Sequence, residues 1–192
     1  ATGSDSLTSN PHAVAIGDLN ADDRPDLAIA NRGSNRVSVL LGHGDGTFGP
    51  RTDYPAGQWP ESLALGDLNG DARPDLAVVL SAPNRVSVRL GNGDGTFGPR
   101  SDFGTGAGPT CVAIAHLDAD GRLDLAVANS ESNTITVHRG DGFGSFGPRT
   151  DFATGGGPDF VGIENLNGDA RPDLAVVNFQ PSTVSVLLGN GD

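Results

Sequence analysis

The sequence predicts an all-β protein made of repeated antiparallel sheets, and three observations carry that expectation. Near-identical acidic segments begin at positions 18, 67, 116 and 165, a constant spacing of 49 residues. Between them run short stretches in which apolar residues alternate with small or polar ones, the period of a strand and not of a helix. The chain also holds 29 Gly and 13 Pro in 192 residues, spread along its length, as many short elements joined by tight turns would need.

Each unit opens with a strand in which Val14 and Ile16, Leu63 and Leu65, Val112 and Ile114, or Val161 and Ile163 alternate with Ala15, Ala64, Ala113 or Gly162. Aliphatic residues on one side and small ones on the other mean packing on both faces with little room on one, as an innermost strand requires. The acidic segment follows, and then a second strand, L-A-I-A, L-A-V-V, L-A-V-A or L-A-V-V, from Leu27, Leu76, Leu125 and Leu174. A third strand is rich in β-branched residues and starts at Val37, Val86, Ile135 and Val184. Gly-rich turns such as G-H-G-D-G-T-F from Gly42 and G-N-G-D-G-T-F from Gly91 then reverse the chain into a short outer strand near Thr52, Ser101 and Thr150. Four antiparallel strands per unit make one blade of a β-propeller. Residues 1–192 therefore read as a single β-propeller module, or as a four-blade part of a larger ring, with repeats centred on 18–26, 67–75, 116–124 and 165–173. The last repeat stops after its third strand. Residues 1–10 are expected to supply the fourth, in the same ring or in a neighbouring subunit, although Asp5 falls in line with Tyr54 and Phe103.

An apolar share of 36% suits a globular chain. The 12 basic against 24 acidic residues give a net charge of −12, which argues against nucleic acid, whose binding needs a basic face, and against an anionic membrane surface. No apolar stretch reaches the length of a membrane span and no signal peptide is present, while the lack of any Met suggests a processed or excerpted chain. Cys111 is the only cysteine, so no internal disulfide forms, and its apolar surroundings predict an inert buried thiol.

The acidic segments read as metal loops. Counting from the first residue, side-chain oxygens recur at positions one, three, five and nine, and Asp and Asn in turns would not by themselves alternate in phase. Calcium is a hard cation that takes six to eight oxygens in flexible geometry, and short Asp/Asn side chains on a tight hairpin converge well on it. The first loop offers Asp18, Asn20, Asp22 and Asp26, and the second Asp67, Asn69, Asp71 and Asp75. In the third, Asp118, Asp120 and Asp124 remain but His116 stands at the first position, a poor calcium ligand. In the fourth, Asn165 and Asn167 leave only Asp169 and Asp173 charged, which predicts weaker binding.

Phe48-Gly49, Phe97-Gly98 and Phe146-Gly147, each followed by a Gly-rich run into Pro60, Pro109 or Pro158, together with the D-x-N-x-D-x-x-x-D loop, resemble the FG-GAP/VCBS repeats of integrin α-subunit propellers and of many secreted microbial proteins. The resemblance spans nearly the whole chain. It implies that the backbone carbonyl at position seven, from Arg24, Arg73, Arg122 or Arg171, joins the calcium ligands, that seven-bladed rings are the common form, and that the protein is extracellular or secreted.

Other signals weigh less. Arg139-Gly140-Asp141 spells an adhesion tripeptide, but Gly140 is the turn glycine equivalent to Gly42, Gly91 and Gly189. The four histidines fall at unrelated positions of the repeat, no nucleophile elbow appears, and the carboxylates lie mostly in the loops, so nothing supports an enzyme. In an up-and-down blade the metal loops lie on the disc face opposite the second-to-third-strand and inter-blade loops. On that opposite face the repeats differ most, and Trp59 and Phe179 lie there, suited to stacking on a sugar or anchoring a protein partner. For Trp59 the other reading is cover for a blade junction. The expected function is thus a non-enzymatic, calcium-binding module that recognises a glycan or protein. The alternatives are a repeat that self-assembles into rings or filaments, and a propeller domain excerpted from a secreted enzyme.

Overall fold

The computed structural model describes residues 10–191, and among them all regular structure is strand. Blade 1 comprises β1 (Pro11–Gly17), β2 (Asp26–Asn31), β3 (Arg36–Leu40) and β4 (Thr52–Pro55). Blade 2 comprises β5 (Gln58–Gly66), β6 (Asp75–Ala82), β7 (Arg85–Gly91) and β8 (Phe97–Gly104). Blade 3 comprises β9 (Pro109–Ala115), β10 (Asp124–Asn129), β11 (Thr134–His138) and β12 (Thr150–Ala153). Blade 4 has β13 (Gly156–Glu164), β14 (Asp173–Gln180) and β15 (Thr183–Leu187). Each blade is an antiparallel meander in sequence order, so the four-stranded blade read from the sequence holds in three of four. The expectation that residues 1–10 complete the last blade falls almost wholly outside the described residues. Among the described residues no helix is long and apolar enough to cross a membrane.

The first strands β1, β5, β9 and β13 lie side by side, and each blade packs on the next through one apolar core. Each of these joints is built from two unlike faces. One blade contributes its small and β-branched side, Ala28, Ala30, Val37 and Val39 in blade 1, and the next contributes its large aliphatic side, Leu63, Leu76, Val78 and Leu80 in blade 2. Alternation along the strands sorts the residues onto these two faces, and the alanines let neighbouring blades approach closely. Cys111 is buried in the third joint, where loss of solvent pushes its thiol up, as an inert cysteine should be.

Polar bonds lock the outer strands. Ser38 donates to Asp53 at 2.6 Å, Ser87 to Asp102 at 2.5 Å and Thr136 to Asp151 at 2.6 Å, while Arg51, Arg100 and Arg149 pair with the same carboxylates. Those repeating aspartates are thereby accounted for as strand fasteners. The turn glycine of each blade is fixed by space, because a Cβ on Gly42, Gly91, Gly140 or Gly189 would lie within 2.3 Å of a backbone carbonyl oxygen. Gly140 holds its place in Arg139-Gly140-Asp141 for that reason.

Candidate functional site

The acidic loops connect the first and second strands of each blade. Their ninth-position acids, Asp26, Asp75, Asp124 and Asp173, are buried, and each accepts two backbone N–H bonds. Asp75 takes Leu68 N–H at 2.8 Å on Oδ2 and Gly91 N–H at 2.8 Å on Oδ1. Asp26 does the same with Leu19 and Gly42, Asp124 with Leu117 and Gly140, and Asp173 with Leu166 and Gly189. This residue ties the start of the loop to the third-to-fourth-strand turn through these two backbone bonds. Burial raises the carboxyls of Asp75 and Asp124 above the usual range in spite of these bonds.

Positions one, three and five turn their oxygens into the loop. Asp67 Oδ1 accepts from Gly70 at 2.8 Å and Asp71 at 3.0 Å, and its Oδ2 from Ala72 at 2.8 Å. Asn69 Oδ1 accepts from Asp71 N–H at 3.1 Å, and Asp71 Oδ1 from Arg73 N–H at 3.0 Å. The first loop repeats the pattern at Asp18, Asn20 and Asp22. Desolvation alone would raise the Asp18 carboxyl, but the N–H groups of Asp23, Asp22 and Asn20 outweigh it and hold it below the usual range. Among the described residues no three His, Cys, Asp or Glu side chains are grouped to hold a metal by themselves. A cation there must also draw on amide and carbonyl oxygens. A carboxylate has about four acceptor positions, so these side chains keep lone pairs for an ion, and the all-oxygen donor set suits calcium.

The third loop is held differently. His116 Nδ1 lies 2.8 Å from the Arg122 carbonyl oxygen, and since a carbonyl only accepts, Nδ1 carries the proton. Arg139 pairs with Asp118 at 3.4 Å and Arg122 with Asp120 at 3.8 Å. The imidazole thus spans the loop from position one to position seven; the Arg122–Asp120 pair repeats the first loop's Arg24–Asp22 at 3.9 Å, whereas the Arg139–Asp118 pair is particular to this loop. In the fourth loop Asn165 Oδ1 accepts Gly168 N–H at 2.8 Å, and Asp169 receives Asn167 and Arg171.

On the opposite disc face every blade enters its first strand through the same device. The residue before the entry proline has positive φ, at Asn10, Trp59, Gly108 and Gly157, and the residue after that proline interrupts the strand register as a bulge, at His12, Glu61, Thr110 and Asp159. Bulges re-aim side chains, and these four turn toward the blade joints. An asparagine of the preceding blade caps the positive-φ residue: Asn35 Oδ1 accepts Trp59 N–H at 2.9 Å, Asn84 accepts Gly108 at 3.1 Å and Asn133 accepts Gly157 at 2.8 Å.

At the first joint this device carries unusual chemistry. Trp59 adopts φ 53°, a region that bulky residues rarely occupy, and remains 51% exposed. The Arg32 guanidinium lies 5.6 Å from its ring centroid and donates to Glu61 Oε1 at 2.9 Å. Ser81 donates to the same oxygen at 2.8 Å, and His12 Nε2 lies 3.2 Å from Oε2. Phe179 is exposed at the third joint, beside a cleft of about 600 Å³ lined by Ser130, Glu131, Gly157 and Asp159. Trp59 and Phe179 therefore belong to different joints.

Three overlapping matches to the FG-GAP-like repeat cover residues 18–78, 73–127 and 116–176. The chain belongs to the FG-GAP-like repeat family. No curated protein sequence matches it. Solved structures do. A lectin from Agrocybe aegerita that specifically recognises non-reducing terminal N-acetylglucosamine is 23% identical, with a TM-score of 0.69 over 100% of this chain and 52% of its own. Hydrazine synthase of Kuenenia stuttgartiensis is 16% identical, with a TM-score of 0.59 over 98% of this chain and 53% of its own. The Tc holotoxin pore of Photorhabdus luminescens is 17% identical, with a TM-score of 0.53 over 97% of this chain and 9% of its own. The chain spans about half the length of the first two. What these proteins share with it is the fold, and a fold that serves a lectin and a synthase does not choose between them.

Within these FG-GAP-like repeats the loop residues were readable from the sequence, whereas Arg32, Glu61, His12 and Ser81 were not singled out. The available signal was disagreement between repeats. Glu61 aligns with His12, Thr110 and Asp159, and Arg32 with Ser81, Ser130 and Phe179, so one joint draws charged residues from positions where the others are mostly neutral.

Proposed function

We propose that this chain is a non-enzymatic glycan-recognition module that works outside the cell, stiffened by calcium in its first two acidic loops, with Trp59 as the platform on which a sugar ring stacks. One observation carries the reading: a half-exposed indole is held at φ 53° at a position where the second and third joints have glycine. Strain of about 1–3 kcal/mol at such a residue persists only where the surroundings enforce it, and it concentrates at functional sites. Beside the ring, the Arg32, Glu61, His12 and Ser81 cluster offers donors and acceptors to sugar hydroxyls, while the indole face takes the apolar C–H face of the ring. Phe179, with Glu131 and Asp159 nearby, forms a lesser site at the third joint. The lectin of like fold is consistent with this reading.

Calcium would sit against Asp18, Asn20 and Asp22 in the first loop and Asp67, Asn69 and Asp71 in the second, with the Arg24 and Arg73 carbonyls completing the set. Its role is to neutralise clustered carboxylates, and the millimolar calcium outside cells suits exposed loops of this kind. A glycan array probed with the wild-type protein in calcium and with Trp59→Ala tests the proposal. Retained glycans that the variant no longer binds are expected. An array with no retained glycan, or one insensitive to Trp59→Ala, contradicts it.

A further inference from the structure

His138 is buried at the second joint and takes no part in the acidic loops or in the Trp59 cluster. Its Nδ1 lies 3.0 Å from the Gly147 carbonyl oxygen, in the third-to-fourth-strand turn of its own blade. Its Nε2 lies 2.9 Å from the Gly104 carbonyl oxygen, at the end of β8 across the joint in blade 2. A carbonyl oxygen only accepts, so both bonds exist together only when both ring nitrogens carry a proton. That species is the imidazolium. The neutral ring has one N–H and makes one of the two bonds, leaving a nitrogen lone pair turned toward an oxygen lone pair.

The first joint makes the same connection with a different cation. Arg89, the repeat equivalent of His138, donates from Nη1 to the Gly98 carbonyl at 2.6 Å and from Nη2 to the Pro55 carbonyl at 2.9 Å, and Gly98 and Pro55 are the equivalents of Gly147 and Gly104. At the third joint the equivalent is Leu187, which packs on the apolar core. The three joints thus hold a permanent cation, a titratable one and none. The charged groups sharing the His138 cleft are Asp102 and Arg149. Asp102 is held by Ser87 and Arg100, and Arg149 by Asp151 and the Thr105 carbonyl. Leu125 stands opposite His138 on β10, the Phe103 ring lies 5.9 Å away, and the neighbouring Arg139 pairs with Asp118. We propose that His138 is a pH-operated clamp between blades 2 and 3, closed when the ring is protonated and loosened when it is neutral. Its stabilisation is present at low pH and lost as pH rises through the titration of the ring. Histidine is the side chain that ordinarily changes charge between about pH 5 and 8. The clamp is independent of what the joint clefts bind.

Urea unfolding of the full chain at pH values from about 5 to about 8, for the wild type, His138→Leu and His138→Arg, is the test. Comparing chains at each pH cancels the other titrating groups. The advantage of the wild type over His138→Leu in the unfolding equilibrium constant should shrink roughly tenfold or more across this range, as expected for a lost bond from a charged donor. The advantage of His138→Arg over His138→Leu should not change with pH. Ring-nitrogen chemical shifts of His138 in the wild type give a reading that needs no variant to fold: both nitrogens protonated at the acid end, one of them bare at the other. A wild-type advantage that is flat with pH would overturn the proposal, and so would an arginine advantage that falls equally. A ring already neutral at the acid end, or still doubly protonated at the other, would overturn it as well.

Discussion

The two faces of the disc are built by the same repeats yet vary in opposite ways. On the loop face the ninth-position acid is bonded alike in all four blades, to one loop N–H and one turn N–H. On the joint face the backbone device is equally regular, but the side chains mounted on it range from glycine to tryptophan and from threonine to glutamate. The difference separates two tasks. Loop residues hold the blade, so changes there should act on stability and metal, whereas under the proposed function changes at the joints should act on what the protein binds.

That division breaks first, if it breaks, at the buried acids. Asp75→Ala strands the N–H groups of Leu68 and Gly91, and at about 1–3 kcal/mol for each unsatisfied buried group the expected loss is about 2–6 kcal/mol in urea unfolding. Asp124→Ala should cost as much, and both losses should persist in chelator. If they vanish there, the ninth acid works through a cation and not through backbone bonds.

Calcium comes next in size. At a concentration 100-fold above its dissociation constant, one site adds about 2.7 kcal/mol, so chelation should lower the melting temperature. An unchanged melting curve after confirmed metal removal ends the calcium reading. Among the sites, Asp71→Ala should lose more calcium affinity by calorimetry than Asp169→Ala, because the fourth loop carries fewer carboxylates. Equal losses would refute the ranking.

The third loop sharpens the comparison at the smallest scale. Its His116, bonded to the Arg122 carbonyl, stands where the second loop offers Asp67. His116→Asp should cost about 0.5–1.5 kcal/mol in chelator for the lost bond and add one calcium site to a titration. A variant with no added site would show that the loop's geometry, and not its first residue, decides occupancy.

The repeat spacing and strand alternation made the blades legible, because both are written into residue type along the chain. The acidic loops between first and second strands were legible for the same reason. The structural task of Asp26 and its equivalents was not, since their partners, such as Gly42, lie on another turn and are backbone groups. Nor was the Arg32–Glu61–Trp59 cluster, which joins residues of two blades through a bulge that no composition signals.

Trp59→Gly gives the most direct test of the functional claim, because glycine is what the second and third joints carry at this position and it relieves the left-handed strain. The melting temperature should hold or rise, and calcium heats should match wild type. Calorimetry with the sugar selected by the wild-type protein should show a loss of about 2 kcal/mol or more, roughly 30-fold in affinity. Undiminished sugar affinity in a folded Trp59→Gly protein would show that the indole only covers a joint, and would contradict the account.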